Sequence, residues 1–439
     1  MLGVLSLACV MYLVVSGGPY GMEDAVGIAG PRMAMLLCLL APLTLSLPTA
    51  LMASELTALM PVEGGFYFWV KEAFGPFAGF AEAYLTILYT AVDTAIYPVL
   101  FATYLGFLFP LGTPGRIVSG IALIWLAGLL NLMGVRPVGR ASAVLAALLL
   151  APFAAMVIEG SPRLLHWRMP PGPLLGHDAP GALAGALTIV IWNFSGWENL
   201  SVVAGEIRHA GRSYLRAVAI AMPAVVLGYL LPLAVALSGA RGGAGWHTGH
   251  FADVGRRIGG PMLGAAIAAG GAVSAFALFE AAMLWVSRMP FVLAREHYLP
   301  HGLAVLWSER ATPARSILLC CVVFTLLAPL GFVTLVVLDV FFYMFALALE
   351  MCAMIRLRRS HPRRPGVFRI GGGKLALYAV AAAPIATWAA TFGLAASHGA
   401  GKTDFATAVV LALCVWPAYV ILRRRYGGPT RSSQLGALD

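Results

Sequence analysis

Four carboxylates stand where carboxylates are costly. Glu23, Asp93, Glu198 and Glu280 lie within or beside long apolar stretches, with no Lys or Arg at matching depth in those stretches. Charge at hydrocarbon depth is expensive and usually functional. Carboxylates without a cation cannot all remain ionised, so some must hold a proton or meet a cation from outside. Several such groups along one cavity suit a ligand with several ammonium groups.

Two interruptions in apolar runs accompany these acids. The first, Ser16-Gly17-Gly18-Pro19-Tyr20-Gly21, is followed by Glu23 and Asp24. Glycine and proline in close succession oppose helix. The second reads Trp192-Asn193-Phe194-Ser195-Gly196-Trp197-Glu198-Asn199. Unwound backbone at membrane depth persists only where protein or a cavity surrounds it. At such a break the freed N–H groups attract anions and the freed carbonyls attract cations. Gly17 and Gly18 leave room for a ligand to approach the main chain. A carboxylate fits the first break, and an ammonium fits the carbonyls near Phe194 and Ser195. Ser16, Asn193 and Ser195 add polar contacts, although such groups also join helices to one another.

The elements that position these residues are membrane helices. The chain has 439 residues, 60% of them hydrophobic and 11% charged, with mean hydropathy +0.86. Spanning a bilayer takes ~20 apolar residues. Twelve spans are expected, at about 3–28, 32–60, 76–109, 115–134, 138–159, 181–208, 214–239, 260–288, 315–333, 335–357, 374–397 and 404–422. The longest loops are expected at 160–180, 240–259 and 289–314. The first stretch lacks a basic start and a small-residue cleavage site, so it reads as a span and not as a leader.

With both termini in the cytoplasm, 21 of the 29 Lys and Arg fall inside. That bias fixes an even span count and explains the net charge of +10 without nucleic acid. The six cysteines all lie in apolar runs, which predicts core residues and no disulfides. No Cys/His spacing suggests a metal, and no nucleophile–base pair suggests an enzyme. The interrupted spans 1 and 6 open two five-span blocks of opposite orientation, the sequence pointer to a secondary transporter's site. The expected organisation is a first repeat at 1–160, a second at 181–357, peripheral spans at 374–422 and a cytoplasmic tail at 423–439.

Several stretches resemble the amino acid–polyamine–organocation permeases, and within them the polyamine–proton symporter branch, also called L-type in places. They are Ser16 to Gly21 with Glu23; Ser54-Glu55-Leu56 with Pro61 to Gly65; and Asp93 to Phe101. Trp192-Asn193 with Trp197-Glu198 and Ala204-Gly205-Glu206 continue the series, followed by Phe279-Glu280-Ala281 with Arg295-Glu296 to Leu299-Pro300. Glu350 with Arg356-Leu357-Arg358, His361-Pro362 and Arg364-Pro365 completes it. The resemblance implies an all-α polytopic fold of the leucine-transporter type, a 5+5 inverted repeat with discontinuous helices 1 and 6. It implies transport of a small cationic substrate, a polyamine or a basic or broad-range amino acid, through the cell membrane. Symport, exchange and a transporter-like sensor or subunit all remain open.

Roles follow from the two readings together. Glu198 is an ammonium ligand or proton site, or else a cap of the second half-helix. Asp93, beside Tyr97, binds substrate or a neighbouring helix. Glu280 lies near where related permeases contact substrate, or else pairs with a loop Arg. Glu23 lines the outer vestibule or sits at the interface. Trp192 matches an aromatic gate position in related arginine–agmatine exchangers, where a ring holds a cation by cation–π attraction, or else it packs the interior. Trp197, Tyr20 and Tyr97 are lesser aromatic candidates. Glu55, Glu206 and Glu350 are expected in salt bridges near the cytoplasmic ends of spans, and Glu82 and Asp339 at interfaces. Some related permeases carry a span-5 Lys that replaces sodium. None stands between Arg140 and Glu159 here, so a coupled proton would sit on Glu198, Glu280 or Asp93. Sodium would find only Ser274 and Ser287 in span 8. No metal or cofactor is expected. The loop Leu111 to Arg116 has no cysteine, so no disulfide-linked heavy chain is expected.

Overall fold

The computed structural model describes residues 4–60, 65–133, 139–165, 174, 179–201, 210–238, 245–295, 297–307, 312–361, 368–398 and 402–427. Glu206, Arg136 and His177 lie outside them. Among the described residues the chain is helical, with one β bridge between Trp307 and Thr312.

Helix α1 (Val4–Val15) stops before the first break, and α2 (Met22–Ala41) begins after it. A wide turn, Pro42–Ser46, joins α2 to α3 (Leu47–Leu59). The chain continues through α4 (Gly65–Phe74), α5 (Pro76–Leu108), α6 (Thr113–Leu132) and α7 (Gly139–Leu164). Helix α8 (Ala179–Asn193) ends at the second break. Beyond it come α9 (Ala210–Leu237), α10 (His250–Val286), α11 (Arg288–Arg295) and α12 (Ala314–Leu327). The last four are α13 (Phe332–Ser360), α14 (Gly373–His398), α15 (Lys402–Leu413) and α16 (Val415–Tyr426). Among the described residues eight helical stretches are long and apolar enough to cross a bilayer. Pro180–Asn193 and Ala314–Leu327 are shorter apolar helices.

Three expected non-helical stretches contain helix. Residues 65–74 form α4 between spans 2 and 3. The 240–259 loop becomes helical at His250, and the 289–314 loop holds most of α11. Gly-Pro pairs shape two of the spans. Gly30 has φ 82° and ψ 165° before Pro31, and Gly260 has φ 80° and ψ −174° before Pro261. The residue before proline is pushed out of the α region, and this backbone geometry is essentially confined to glycine. A long apolar run can therefore turn sharply at either point.

The chain divides into two compact units. The first comprises Met1–Thr86, Met169–Gly245 and Val340–Ala412. There α2 packs on α8, α1 and α3 pack on α9, and α14 packs on α8 and α3. Small residues permit close approach, as TM packing requires: a side chain at Gly228 would meet the Tyr12 hydroxyl at 2.9 Å. Phe341, Phe345, Trp388, Phe392 and Phe405 form an aromatic cluster that combines edge-on and stacked ring pairs with one tilted pair. The second unit comprises Ile87–Arg168, Trp246–Asp339 and Leu413–Asp439. There α10 packs on α7 and α6, and α12 packs on α6.

Candidate functional site

Both breaks fall in the first unit, and their backbone is folded with few loose ends. At the first, Gly18 and Gly21 take φ of 93° and 90°, a left-handed backbone that favours glycine. The Gly18 amide donates to Ser16 Oγ at 3.3 Å. The Gly21 amide donates to Glu23 Oε2 at 2.7 Å. Glu23 is fully buried, so this acid turns back onto its own break. A resident carboxylate thus occupies one of the amides that an incoming anion would use.

At the second break α8 ends and the chain unwinds through Ser195 and Gly196. The freed carbonyls find donors from elsewhere in the unit, as buried backbone requires. Tyr229 donates to Asn193 O at 2.8 Å. Ser46, on the wide turn between α2 and α3, donates to Phe194 O at 3.0 Å. Trp197 Nε1 also donates to Phe194 O, at 3.0 Å. The Tyr214 hydroxyl donates to Trp197 O. Two expected ligand groups are therefore partly committed to structure. Asn193 Nδ2 donates to Ile189 O, and the Trp197 indole braces the break. Ser195 Oγ donates to Trp192 O at 2.8 Å, and both residues are half-buried.

Two connections organise the unit. Tyr229 stands by both breaks, because its hydroxyl donates to Asn193 O and also interacts with Ser16, as does that of Tyr12. Tyr343, on α13, reaches Glu198. Its hydroxyl donates to Glu198 Oε2 at 3.1 Å and accepts from the Gly196 amide at 3.2 Å. Glu198 is 1% exposed and forms no ion pair among the described residues.

Around Glu198 lie two acids with other expected roles. Glu82, expected at an interface, is fully buried, and Glu350, expected in a cytoplasmic salt bridge, is 3% exposed without one among the described residues. Each of Glu82, Glu198 and Glu350 interacts electrostatically with the other two. The salt-bridge expectation succeeds at Glu55 instead. Its Oε2 lies 3.3 Å from Arg358 Nη1 and accepts from the Ile370 amide at 2.7 Å. Its Oε1 lies 3.9 Å from Arg369 Nε.

The second unit holds the remaining candidates. Tyr97 donates to Asp93 Oδ2 at 3.2 Å, one helical turn along α5. Asp339, also expected at an interface, is buried and interacts electrostatically with Asp93. Glu280 Oε1 accepts from Asn131 Nδ2 at 2.9 Å, a contact between α10 and α6 rather than a pairing with a loop Arg. No group of three or more His, Cys, Asp or Glu suited to a metal occurs among the described residues.

Sequence reading missed Tyr343, Tyr229, Tyr214 and Ser46, and gave Glu82 and Glu350 other roles. A count of donors would have flagged the tyrosines: a broken helix frees carbonyls, and donors must come from neighbouring helices.

Comparison with known proteins adds a separate kind of support. Residues 2–417 match the family model described as amino acid permease. Polyamine transporter PUT1 of Oryza sativa subsp. japonica is 33% identical over 396 residues, covering 89% of this chain and 73% of that protein. Polyamine transporter RMV1 of Arabidopsis thaliana is 32% identical over 382 residues, covering 85% of this chain and 76% of that protein. Large neutral amino acids transporter small subunit 2 of Homo sapiens is 27% identical over 288 residues, covering 62% of this chain and 53% of that protein.

Proposed function

The chain belongs to the amino acid permease family, and from that premise we propose that it carries polyamines such as putrescine and spermidine across the cell membrane, coupled to protons. It is a multi-pass membrane transporter and not an enzyme. Our finer reading has twelve spans and two inverted five-span repeats, with both termini in the cytoplasm. Substrate would pass by alternating access around the two breaks.

The observation that carries this reading is Glu198, buried at the second break with no basic partner among the described residues. A cationic amine entering there would supply the missing charge through charge-assisted hydrogen bonds. Trp192 stands on the last turn of α8 just before the break, where its ring could cover the amine. Asp93 with Tyr97, and Glu280, would take further ammonium groups or a proton. Ser16, Gly17 and Gly18 would shape the space at the first break, and Ser195 would offer a polar contact.

The first break also bears on the second reading, an amino-acid permease or exchanger. An amino acid needs a place for its carboxylate, and free amides at a broken helix would provide it. Here the Gly18 and Gly21 amides already have acceptors, the latter a carboxylate of the protein itself. That occupancy favours an amine that lacks a carboxylate.

The test is uptake by purified protein in liposomes. Labelled putrescine or spermidine should accumulate under an inward proton gradient and should be displaced by unlabelled polyamine. Displacement by leucine or arginine but not by polyamines would select the amino-acid reading. Absence of uptake and exchange for all of these would overturn both.

A further inference from the structure

We propose that Glu82 and Glu350 form, with Glu198, the buried site that carries the coupled proton. They come from separate elements: Glu82 from α5, Glu350 from α13 and Glu198 from the break after α8. All three are at most 3% exposed. Each interacts electrostatically with the other two, and Tyr214 lies within the field of Glu198 and Glu350. Tyr343 stands two helical turns before Glu350 on the same face of α13 and donates to Glu198.

Charge and hydrogen bonding both favour a protonated carboxyl here. No Lys or Arg forms an ion pair with any of the three among the described residues, so three ionised carboxylates would repel one another in a low-dielectric interior. Among the described residues Glu82 Oε2 and Glu350 Oε2 are buried without a hydrogen-bond partner. Thr86 serves only the other oxygen of Glu82, at 3.5 Å. A bare carboxylate oxygen in that setting is costly, and a bound proton both cancels its charge and supplies a donor to a neighbouring carboxyl.

The step is a simple protonation. A carboxylate oxygen of the cluster gains a proton from water on one side of the membrane. The O–H bond breaks again on the other side, and the proton returns to water. The neutral cluster can be buried during the crossing. This deepens the proton-coupled transport reading and rests on it for the role of the proton, although the protonation itself stands apart from any substrate.

Two measurements on the full-length protein separate the two claims. The first is difference infrared spectroscopy against pH in nanodiscs, which reads the C=O stretch of protonated carboxylic acids without substrate. The band should weaken in E82Q and again in E350Q, and should be unchanged in E55Q, whose carboxylate is paired with arginine. A band of wild-type strength in both E82Q and E350Q overturns the proposal. E82D guards against misfolding, because it keeps a carboxylic acid and should keep a band. The second measurement is putrescine transport. E82Q and E350Q mimic a permanently protonated carboxyl, so accumulation driven by a proton gradient should fall far more than putrescine–putrescine exchange does. Full gradient-driven accumulation in the E82Q/E350Q double variant also overturns the proposal. If the wild type neither exchanges nor accumulates putrescine, the polyamine reading falls and the infrared titration still decides the proton site.

Discussion

Glu55 and Glu350 are buried alike, at 4% and 3% exposure, and both belong to the first unit. Their surroundings differ. Glu55 is held by Arg358, by Arg369 and by the Ile370 amide. The arginines are fixed in turn, because Arg358 Nη2 donates to Ile370 O at 2.6 Å and Arg369 Nη2 donates to Arg358 O at 2.7 Å. The carboxylate there has permanent cationic partners, and the arrangement clamps the end of α3 to α13 and to the chain leading into α14. Glu350 lies eight residues before Arg358 on the same helix, roughly 12 Å along its axis, and has other carboxyls for company. The contrast shows that burial alone does not assign a role to an acid. A carboxylate with resident cations has its charge answered within the fold, whereas on our proposal carboxylates that have no ion pair among the described residues depend on a cation that comes and goes.

The largest expected effect tests the mobile-cation side. Glu198→Gln keeps the size and an acceptor for Tyr343 but removes the charge at the break. Truncating one partner of a buried, hydrogen-bonded charge pair costs ~2–5 kcal/mol, so putrescine uptake should fall by about 100-fold. Uptake by the variant at the wild-type rate would erase the contrast. The structural side gives a change of the opposite kind. Glu55→Ala leaves two arginines and an amide without their shared acceptor and should cost about 3 kcal/mol of stability, read as a lowered Tm in detergent. Glu350→Gln removes a like charge and should leave Tm unchanged or raise it. If Glu350→Gln destabilised the protein as much as Glu55→Ala, the two sites would have to be read as one kind.

How much of this was legible depended on whether the cause lay in the chain or across it. The two breaks were legible because Gly17-Gly18-Pro19 and Ser195-Gly196 act on their own backbone. The Glu55 clamp was legible because its acid and the basic run at Arg356–Arg359 both fell near the same face of the membrane. Glu82 and Glu350 misled because they also lie toward the ends of apolar runs, where a solvent-side pairing is the natural expectation. Position along a helix gives depth but not the residues opposite. Tyr229 and Tyr214 were invisible for a related reason: each is an unremarkable residue in an apolar helix until a broken neighbour presents a carbonyl. Likewise α4 was hidden by Gly65, a poor helix former that opens its first turn.

A smaller effect sharpens what holds Glu198 in place. Tyr343→Phe removes the donor to Glu198 and the acceptor of the Gly196 amide. Loss of one such hydrogen bond is worth ~1–1.5 kcal/mol, so the apparent affinity for putrescine should weaken by about tenfold while the fold persists. An unchanged affinity would mean that Glu198 is positioned by packing alone.

The smallest expected effect tests whether the two breaks act together. Tyr229→Phe leaves Asn193 O and the Ser16 hydroxyl without their common partner. Side-chain hydrogen bonds between membrane helices average ~0.6 kcal/mol, so Tm should fall only slightly. The informative quantity is therefore a coupling and not a single loss. Ser16→Ala removes the other end of the link, and it also frees the Gly18 amide from Ser16 Oγ. If Tyr229 joins the breaks, the double variant should lose less stability than the two single losses added together, because the second substitution removes a bond that the first has already broken. Strict additivity would mean that Ser16 and Tyr229 each brace only the local backbone. The breaks would then be two separate pieces of strained chain in one unit, and a ligand held at Glu198 would have no hydrogen-bonded route through Tyr229 by which to feel the first.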